Sequence, residues 1–286
     1  MKVTLIRLNG RLGNQLFIWA LCVYLSKRSN RTIYLVAKSE IDVHPYVQGL
    51  VNQSSPRVQI RVSKMLNKVF TFLEVLFLKF PKFAKHLNFL PIFFESAKLP
   101  VCEKVLVKSR IISGFFQRNW IVEDNSDFIV SLMLNELSSR VKLTKNIDYT
   151  RPQMHIRRGD YELAADHWGL LSLDFYLEAL KHSKNIYCFT DISKSQIPST
   201  WEESGIIFFS PEDTNELESF YHLSRGTKLV IANSSFSWWA GYLAAAKGAE
   251  VYAPQPWFKS EDSWNDEIYP SSFHKVHAKF ENSHVL

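Results

Sequence analysis

The sequence predicts an α/β fold in which two parallel-sheet domains face a cleft, because two series of alternating strand and helix patterns flank a different middle segment. The first series opens with the apolar strand pattern Val3–Ile6, a glycine turn and an apolar helical run over residues 16–27. A second apolar strand pattern follows at Thr32–Val36. Strand, helix and strand at this spacing form a βαβ unit, whose two strands are parallel.

The second series begins after residue 150 and alternates in the same way. Its apolar strand patterns are Gln153–Ile156, Ile186–Thr190, Ile206–Phe209, Lys228–Ala232 and Val251–Ala253. Helical patterns lie between them at Leu173–His182, Leu217–Leu223 and Trp238–Ala246. We therefore expect an N-terminal domain over residues 1–149 and a C-terminal domain over residues 150–286.

Composition and charge narrow the class of protein. The 286 residues are 46% hydrophobic and 22% charged, which is ordinary globular usage and excludes disorder as a description of the whole chain. A net charge of +6 suits an anionic partner such as a phosphate, a nucleotide or a membrane surface. The sequence has no clustered basic face and no recognised nucleic-acid-binding module, so we expect no nucleic-acid partner.

Cysteine usage and the N-terminus predict a cellular compartment. Three separated cysteines without a CxxC pair exclude a disulfide scaffold and a zinc ribbon, and they favour a reducing compartment. The N-terminus shows no signal-peptide pattern, and no run of 18 apolar residues occurs. We therefore expect a cytoplasmic protein.

The middle segment, near residues 63–96, mixes dense Phe and Leu with lysines and few acidic residues. We expect an aromatic and basic helical insertion in the N-terminal domain. One interpretation is a pair of core helices broken at Pro81, since apolar stripes at helical spacing usually belong to the core. The alternative is a basic amphipathic segment that lies on anionic lipid, which would make the protein peripheral at the inner face of the plasma membrane.

The most specific motif is the heptapeptide His155–Tyr161, HIRRGDY. It follows a strand, so its side chains emerge at the carboxyl edge of a parallel sheet, where open α/β sheets bind ligands. The planar forks of Arg157 and Arg158 suit a diphosphate. Successive strand side chains point to opposite faces, so at most one of the two arginines meets the phosphate directly. The alternative is an exposed basic turn paired with Asp160.

Further loops follow other predicted strands. Residues Asn9–Gln15 place two glycines between a strand and a helix, which either lets the backbone approach an anion or forms a tight turn. Residues Asn233–Ser237 begin a helix, where they either hold phosphate oxygens or cap the helix. Asp191 closes a strand, either as a cap or as the acceptor of two N–H bonds from a guanine. The aromatic turns Gly114–Gln117 and Pro254–Phe258 either face a sugar or pack.

Together these motifs resemble those of the family-11 glycosyltransferases. GRLGNQLF, GFFQ, HIRRGDY, FTD, NSSFSWWAGYL and APQPWF occur in the order and rough spacing of that family, which contains the bacterial and animal α-1,2-fucosyltransferases. The resemblance runs from about residue 3 to about residue 258 and is weakest between about 40 and 110. It implies a GT-B fold, GDP-fucose as the donor substrate, and inversion at the fucose anomeric carbon without a metal or other cofactor.

The resemblance also implies roles for individual residues. Arg157 would bind the β-phosphate and stabilise the departing GDP, with His155 beside it. Asp191 would read guanine, and Asn14 would reach from the N-terminal domain to the sugar or phosphate. Arg158 would shape the loop through Asp160. The donor-binding residues that the motifs imply are Gly13, His155, Arg157, Arg158, Asp191, Asn233, Ser234, Ser235 and Phe236.

The implied activity is transfer of L-fucose to the 2-hydroxyl of a β-galactoside in a surface glycan such as O-antigen. The partners are therefore GDP-fucose and a galactose-terminated acceptor. Asp160, Glu162 and Asp166 are the carboxylates near enough in sequence to act as general base, and Asp160 is grouped with Arg157 and Asn14 as catalytic. The alternatives are a transferase of the same fold with another linkage or GDP-sugar, and a non-catalytic glycan-binding protein.

The absence of common metal motifs agrees with that expectation. The sequence contains no Asp-x-Asp, HExxH or EF-hand pattern and no His/Cys pair at metal-ligand spacing. A diphosphate site without a metal needs arginines and helix N-termini to balance its charge. The sequence supplies both at the predicted strand ends, so we expect no metal site.

Overall fold

The computed structural model describes residues 2–79, 91–95, 101–181, 183–202, 204–260 and 265–281. The chain divides into two compact units, Met1–Glu136 and Leu137–Leu286, and each contains one parallel sheet. The predicted fold class, α/β with two Rossmann-like parallel sheets of the GT-B type, is confirmed. The assignment of residues 1–149 to the acceptor and residues 150–286 to the donor stays a prediction.

The first unit is built on a five-stranded sheet in the order β3-β2-β1-β5-β4, in which every neighbouring pair is parallel. Its strands are β1 (Val3–Arg7), β2 (Thr32–Ala37), β3 (Val58–Val62), β4 (Ile92–Phe94) and β5 (Ile111–Ser113). Its described helices are α1 (Leu12–Arg28), α2 (Pro45–Ser54), α3 (Lys64–Lys79), α4 (Glu103–Lys108), α5 (Asn119–Glu123) and α6 (Ser126–Arg140), with a 3-10 turn at Glu40–Asp42.

Helix α1 occupies the interior of the first unit. It begins at Leu12, earlier than the predicted helical run, because Gly10 turns the chain with a φ of 76°. A Cβ at Gly10 would lie 2.6 Å from Asn14 Nδ2, so only glycine fits this turn. Almost every residue between Leu12 and Leu25 is buried, which is the pattern of a helix covered on all faces.

The middle segment differs in part from the predicted helical insertion. Helix α3 buries Phe70 against Val36 and Phe94. The prediction of helix up to residue 96 is wrong at its C-terminal end, because Ile92–Phe94 pairs with Ile111–Ser113 and extends the sheet as β4. The break predicted at Pro81 lies outside the described residues.

The second unit is built on a six-stranded parallel sheet in the order β11-β10-β9-β6-β7-β8. Its strands are β6 (Gln153–Ile156), β7 (Tyr187–Thr190), β8 (Ile207–Phe209), β9 (Lys228–Val230), β10 (Glu250–Gln255) and β11 (Phe273–His277). Its described helices are α7 (Ala165–Trp168), α8 (Leu173–Ala179), α9 (Ser199–Glu202), α10 (Glu216–Leu223) and α11 (Ser235–Ala245), with 3-10 turns at Gly159–Ala164, Lys194–Gln196 and Asn265–Ile268.

A buried carboxylate anchors the segment through which the chain enters the second unit. Glu218, on α10, is fully buried and accepts backbone N–H bonds from Thr144 (2.5 Å) and Lys145 (3.0 Å). Burial raises the pKa of Glu218, but these bonds outweigh that effect and leave the pKa below its ordinary value. One turn along α10, His222 Nδ1 shares a 2.9 Å hydrogen bond with the Tyr149 hydroxyl. Residues 144–149 are therefore fixed to α10.

In the second sheet the strand order reverses between β6 and β9, since β7 and β8 follow β6 on one side and β10 and β11 follow β9 on the other. Loops at the carboxyl ends of such strands diverge to opposite faces of the sheet and leave a crevice, where α/β folds bind ligands. In the first sheet, the loops after the neighbouring strands β1 and β5 lead to helices α1 and α5, which pack on each other. These two loops share the carboxyl edge of the first sheet.

Within the part of the chain that the structure describes, no helix combines the length and apolarity needed to cross a bilayer.

Candidate functional site

The predicted motifs of the second unit lie at the carboxyl ends of three neighbouring strands. Arg157 follows β6 directly, Asp191 follows β7 directly, and the segment after β9 leads into α11 at Ser235. Strands β9, β6 and β7 are adjacent in the sheet, so the three loops meet at one edge. The change of direction between β6 and β9 places this edge at the crevice of the second unit.

Arg157 is held between two carboxylates. Its Nη2 lies 2.5 Å from Asp160 Oδ1, and its Nη1 lies 3.0 Å from Asp191 Oδ2. Its guanidinium also lies over the Tyr161 ring, at 5.6 Å from the ring centroid. A guanidinium has five N–H donors. The two ion pairs fix the plane of the group and use only some of these donors.

Gly159 allows Asp191 to approach the arginine loop. The residue has a φ of 23°, and a Cβ there would lie 2.3 Å from Asp191 Oδ2. The other oxygen of Asp191, Oδ1, accepts the Arg158 backbone N–H at 2.8 Å. Asp191 thus holds both the backbone and the Arg157 side chain of the loop.

Arg158 points to different partners from Arg157. Its two Nη atoms bind both oxygens of Glu281, at 2.7 and 2.8 Å, and its guanidinium lies 5.3 Å from the Trp201 ring centroid. The hydrogen bonds from Glu281 raise the pKa of Arg158 above its ordinary value. In the structure Asp160 pairs with Arg157 and the Arg158 fork binds Glu281, so the shaping of this loop by Arg158 through Asp160 stays a prediction. The expected divergence of the two arginines is observed.

His155 is buried at the end of β6 and carries no charge at neutral pH. Its exposed fraction is 4%, and its ring packs on Phe236 at a centroid distance of 5.1 Å. Burial, together with the positive charge of Arg157, lowers the pKa of His155 to about 3. Its Nδ1 lies 3.2 Å from Ser237 Oγ, which itself accepts the Ala232 N–H at 2.9 Å. Ser237 therefore fixes the orientation of the neutral imidazole.

In the predicted segment Asn233–Phe236, the first two residues are buried and hold the local structure, whereas the last two are partly accessible. Asn233 is 1% exposed, and its Nδ2 donates to the Trp168 carbonyl at 2.8 Å. Ser234 caps α11, since its side chain accepts the Ser237 N–H. Ser235 and Phe236, the first two residues of α11, are half-buried. The N–H groups of a first helical turn have no intrahelical partner, so this helix start is suited to an anion.

The predicted site residues of the first unit lie after β1. Gly13 is buried in the first turn of α1, and Asn14 next to it is half-buried. The Asn14 Oδ1 accepts a hydrogen bond from Gln117 Nε2 at 2.7 Å. The neighbouring Gln15 is structural, because its Nε2 donates to the carbonyls of Gly10 and Asp42.

Three residues that contact the site have no individual role in the sequence analysis, although two of them, Tyr161 and Ser237, lie within its motifs. Tyr161 donates its hydroxyl to the Asn233 carbonyl at 2.9 Å and supports Arg157. Ser237 was recognisable from its spacing of three residues after the Ser234 cap. Glu281 had no signal, since it lies 123 residues from its partner Arg158. Among the described residues, no group of three or more His, Cys, Asp or Glu side chains is arranged to hold a metal ion.

The buried His155 predicts an acid-dependent loss of stability. An unfolded chain protonates its imidazole near the ordinary pKa of about 6.5, whereas the folded chain keeps it neutral down to about pH 3. Between these values the unfolded state binds more protons, so the free energy of unfolding falls by about 2 kcal/mol for this residue between pH 7 and pH 5. We expect the His155→Gln variant to lose that much less stability over the same interval, measured by urea unfolding. Equal pH dependence in both proteins would contradict the assignment of a neutral buried imidazole.

Two glycines with positive φ provide a test of the Asp191 contact. A methyl group at Gly159 meets Asp191 Oδ2, whereas one at Gly205, with a φ of 75°, meets no atom within 4 Å. Alanine bears the left-handed penalty at both positions, but only Gly159→Ala also displaces a bonded carboxylate. We expect Gly159→Ala to lower the free energy of unfolding by about 1–3 kcal/mol more than Gly205→Ala. Similar losses in the two variants would show that the contact contributes little.

Comparisons with known proteins agree with part of the predicted function. No protein-family model matches the chain. The chain is 24% identical over 298 aligned positions to an α-1,2-colitosyltransferase of Escherichia coli, an alignment that covers 92% of this chain and 94% of that protein. It is 23% identical over 299 positions to the O-antigen biosynthesis glycosyltransferase WbnK of Escherichia coli, with coverages of 90% and 98%.

Solved structures with a similar fold include glycosyltransferases. The structure superposes on that of a variant of Arabidopsis thaliana FUT1 in complex with GDP with a TM-score of 0.47. The superposition has 12% sequence identity and covers 91% of this chain and 72% of that chain. The NodZ α-1,6-fucosyltransferase soaked with GDP-fucose overlaps at 0.43, with 14% identity and coverages of 85% and 94%. Overlaps of this size carry no functional argument. The whole-length sequence similarity to two glycosyltransferases supports glycosyltransferase activity for this chain.

Proposed function

We propose that the protein transfers L-fucose from GDP-fucose to the 2-hydroxyl of a β-galactoside, with inversion at the anomeric carbon and without a metal. The observation that carries the proposal is the position of Arg157. It lies at the crevice of the second unit, its guanidinium is fixed by two carboxylates, and the N-terminus of α11 begins at the end of a neighbouring strand. Such an arrangement suits the diphosphate of a nucleotide sugar.

Donor binding follows from the groups that remain accessible in the second unit. The N–H groups of Arg157 that the carboxylates do not engage bind the β-phosphate, and the N–H groups of Ser235 and Phe236 bind neighbouring phosphate oxygens. Asp191 acts as a positioning residue for Arg157, a role that its two hydrogen-bonded oxygens support better than guanine recognition does. His155 remains neutral, so it assists binding as a hydrogen-bonding group rather than as a charge.

The reaction is a single displacement. The acceptor oxygen forms a bond to the fucose anomeric carbon while the bond from that carbon to the β-phosphate oxygen breaks, and GDP leaves with the bonding electron pair. Negative charge grows on the β-phosphate during this step, and a preorganised guanidinium stabilises the transition state more than the ground state. The proton of the acceptor hydroxyl passes to a base, for which we propose Asp160, whose side chain is 37% exposed.

The identity of the sugar and linkage rests on the resemblance of the motifs. The colitosyltransferase relative carries an α-1,2 linkage in its name, which supports the linkage and brings in colitose as an alternative sugar. The O-antigen name of the second relative supports a surface glycan as acceptor. A transfer assay with GDP-fucose, excess EDTA and a panel of galactose-terminated oligosaccharides tests fucose as the transferred sugar. We expect one added deoxyhexose on a galactose, insensitive to EDTA.

Substitution of Arg157 tests the site itself. We expect Arg157→Ala to lower kcat at least about 100-fold, because the developing phosphate charge loses its stabilising donor. Arg158→Ala is the matched control, since the Arg158 fork is bound to Glu281. Its loss should lower the unfolding temperature, and it should lower kcat less than Arg157→Ala does. Near-normal turnover of Arg157→Ala, or an equal loss of kcat in the two variants, would remove Arg157 from its proposed role.

We also propose a peripheral contact with anionic membrane through the outward face of α3. This face exposes Met65 (71%) and Phe72 (67%), while the exposed side chains of Lys64 and Lys68 lie in the same helix. Apolar side chains flanked by lysines suit the headgroup region of an anionic bilayer. The proposal places the protein at the inner face of the plasma membrane.

Liposome flotation tests this contact. We expect the wild-type protein to float with vesicles that contain anionic lipid, and the Met65→Ser/Phe72→Ser variant to lose at least about half of that binding, because burial of each apolar side chain contributes about 1.5–3 kcal/mol. Leu163→Ser is the control, since Leu163 is 92% exposed in the second unit. Unchanged flotation of the double variant would rule out this face as the contact.

A further inference from the structure

The loops that follow the neighbouring strands β1 and β5 meet at the carboxyl edge of the first sheet, the edge at which parallel α/β sheets bind ligands. Asn14 belongs to the loop-to-helix segment after β1, and Gln117 belongs to the loop after β5. Their side-chain amides are joined by the 2.7 Å hydrogen bond from Gln117 Nε2 to Asn14 Oδ1. A pair of amide side chains therefore bridges the two loops at the place where this sheet is expected to bind a ligand.

The turn that precedes Gln117 is held in a conformation that its residues seldom adopt. Phe116 has a φ of 52°, which is unfavourable for an aromatic residue, and Gly114 has a φ of 155°. A Cβ at Gly114 would lie 2.4 Å from Glu95 Cβ, so the close approach of Glu95 requires glycine. Backbone conformations of this kind cost about 1–3 kcal/mol and persist only where the surroundings enforce them.

Glu95 and burial enforce this turn. The Glu95 Oε2 accepts the backbone N–H groups of both Phe115 and Phe116, each at 2.7 Å. Arg118, which is 2% exposed, places its Nε 3.4 Å from Glu95 Oε1 and balances the charge of the carboxylate. The Phe116 ring is fully buried and anchors the turn in the protein interior. The result is a rigid turn whose carboxylate is neutralised by an arginine.

The turn leaves one aromatic ring accessible, two residues before Gln117. Phe115 is 44% exposed, although the residue after it is fully buried. A single exposed phenylalanine is ordinary on a protein surface, but here a strained backbone, a half-buried carboxylate and a buried arginine hold the turn that carries it at the carboxyl edge of the sheet. Strain at such a position is a reason to infer function. An apolar ring on the same turn as a fixed amide group matches a sugar, which has an apolar C–H face and a rim of hydroxyl groups.

We propose that Phe115, Gln117 and Asn14 form a subsite for a neutral pyranose of the acceptor glycan. The C–H face of the sugar lies on the Phe115 ring, and its hydroxyl groups bind the Gln117 and Asn14 amides. Phe115 is the residue that selects the acceptor, while Glu95 and Arg118 are positioning residues. The proposal rests on the proposed function only in taking the sugar to be part of the acceptor.

The test measures sugar binding separately from transfer. Lactose, as a galactose-terminated probe, is titrated into the wild-type protein and into Phe115→Ala, Phe115→Tyr and Phe128→Ala, and binding is followed by NMR. Phe128 is the matched control, since it is a 38% exposed phenylalanine on α6 of the same unit. We expect Phe115→Ala to weaken lactose binding at least about tenfold, while Phe115→Tyr and Phe128→Ala bind as the wild type does.

Kinetics with GDP-fucose give a second readout. We expect Phe115→Ala to raise the acceptor KM at least about tenfold and to leave the GDP-fucose KM within about twofold, because the ring binds the acceptor in ground state and transition state alike. Gln117→Leu, which keeps the size of the side chain but removes its amide, should raise the acceptor KM as well.

The outcomes separate this subsite from the proposed activity. If the wild type binds lactose through Phe115 but transfers no sugar from GDP-fucose, the subsite stands and the activity is wrong. If the wild type transfers fucose and Phe115→Ala keeps the wild-type acceptor KM, the activity stands and the subsite is wrong. Equal lactose binding by Phe115→Ala and Phe128→Ala, or no lactose binding by the folded wild type, also overturns the subsite.

Discussion

The ion pair between Arg157 and Asp191 is the constraint on which the arrangement of the second unit's crevice depends. Arg157 follows β6 and Asp191 follows the neighbouring strand β7, so the pair joins two loops at one sheet edge. The same carboxylate accepts the Arg158 N–H, which fixes the backbone of the loop. Gly159 is required at this point because a side chain there would occupy the space of the carboxylate. The contacts of Asp191 thus account for the position of the Arg157 side chain, the backbone of the loop after β6 and the need for glycine at position 159.

In both units a carboxylate at the end of one strand holds the loop that follows the neighbouring strand. In the second unit, Asp191 is the first residue after β7, and it binds an N–H group of the loop after β6 and the Arg157 side chain. In the first unit, Glu95 is the first residue after β4, and it binds two N–H groups of the loop after β5 and the Arg118 side chain. Each carboxylate lies against a glycine with positive φ. In each unit an oriented carboxylate therefore shapes a loop at the carboxyl edge of the sheet.

The sequence was informative where local chemistry determines structure. Strand β2 is a largely apolar run, strand β6 is fully buried, and the motif residues follow strand ends, so the location of Arg157 could be predicted. Strands β4 and β5 have three residues each, which is too short for a periodic signal against the Phe-rich background. Edge strand β3 shows its outer residues to solvent and lacks a continuous apolar run. Partners such as Glu281 depend on tertiary proximity, and no local pattern near Arg158 encodes them.

The anchoring of residues 144–149 by α10 has a consequence for dividing the chain. A fragment that began at residue 150 would keep the carboxylate of Glu218 in its buried position but would lack the Thr144 and Lys145 N–H groups that it binds. It would also lack the Tyr149 hydroxyl that meets His222. A buried charge without its partners destabilises a fold by several kcal/mol, on the order of 3–5. The second unit therefore includes residues that precede its first strand, β6. A separately produced second unit needs residues 144–149, which follow α6.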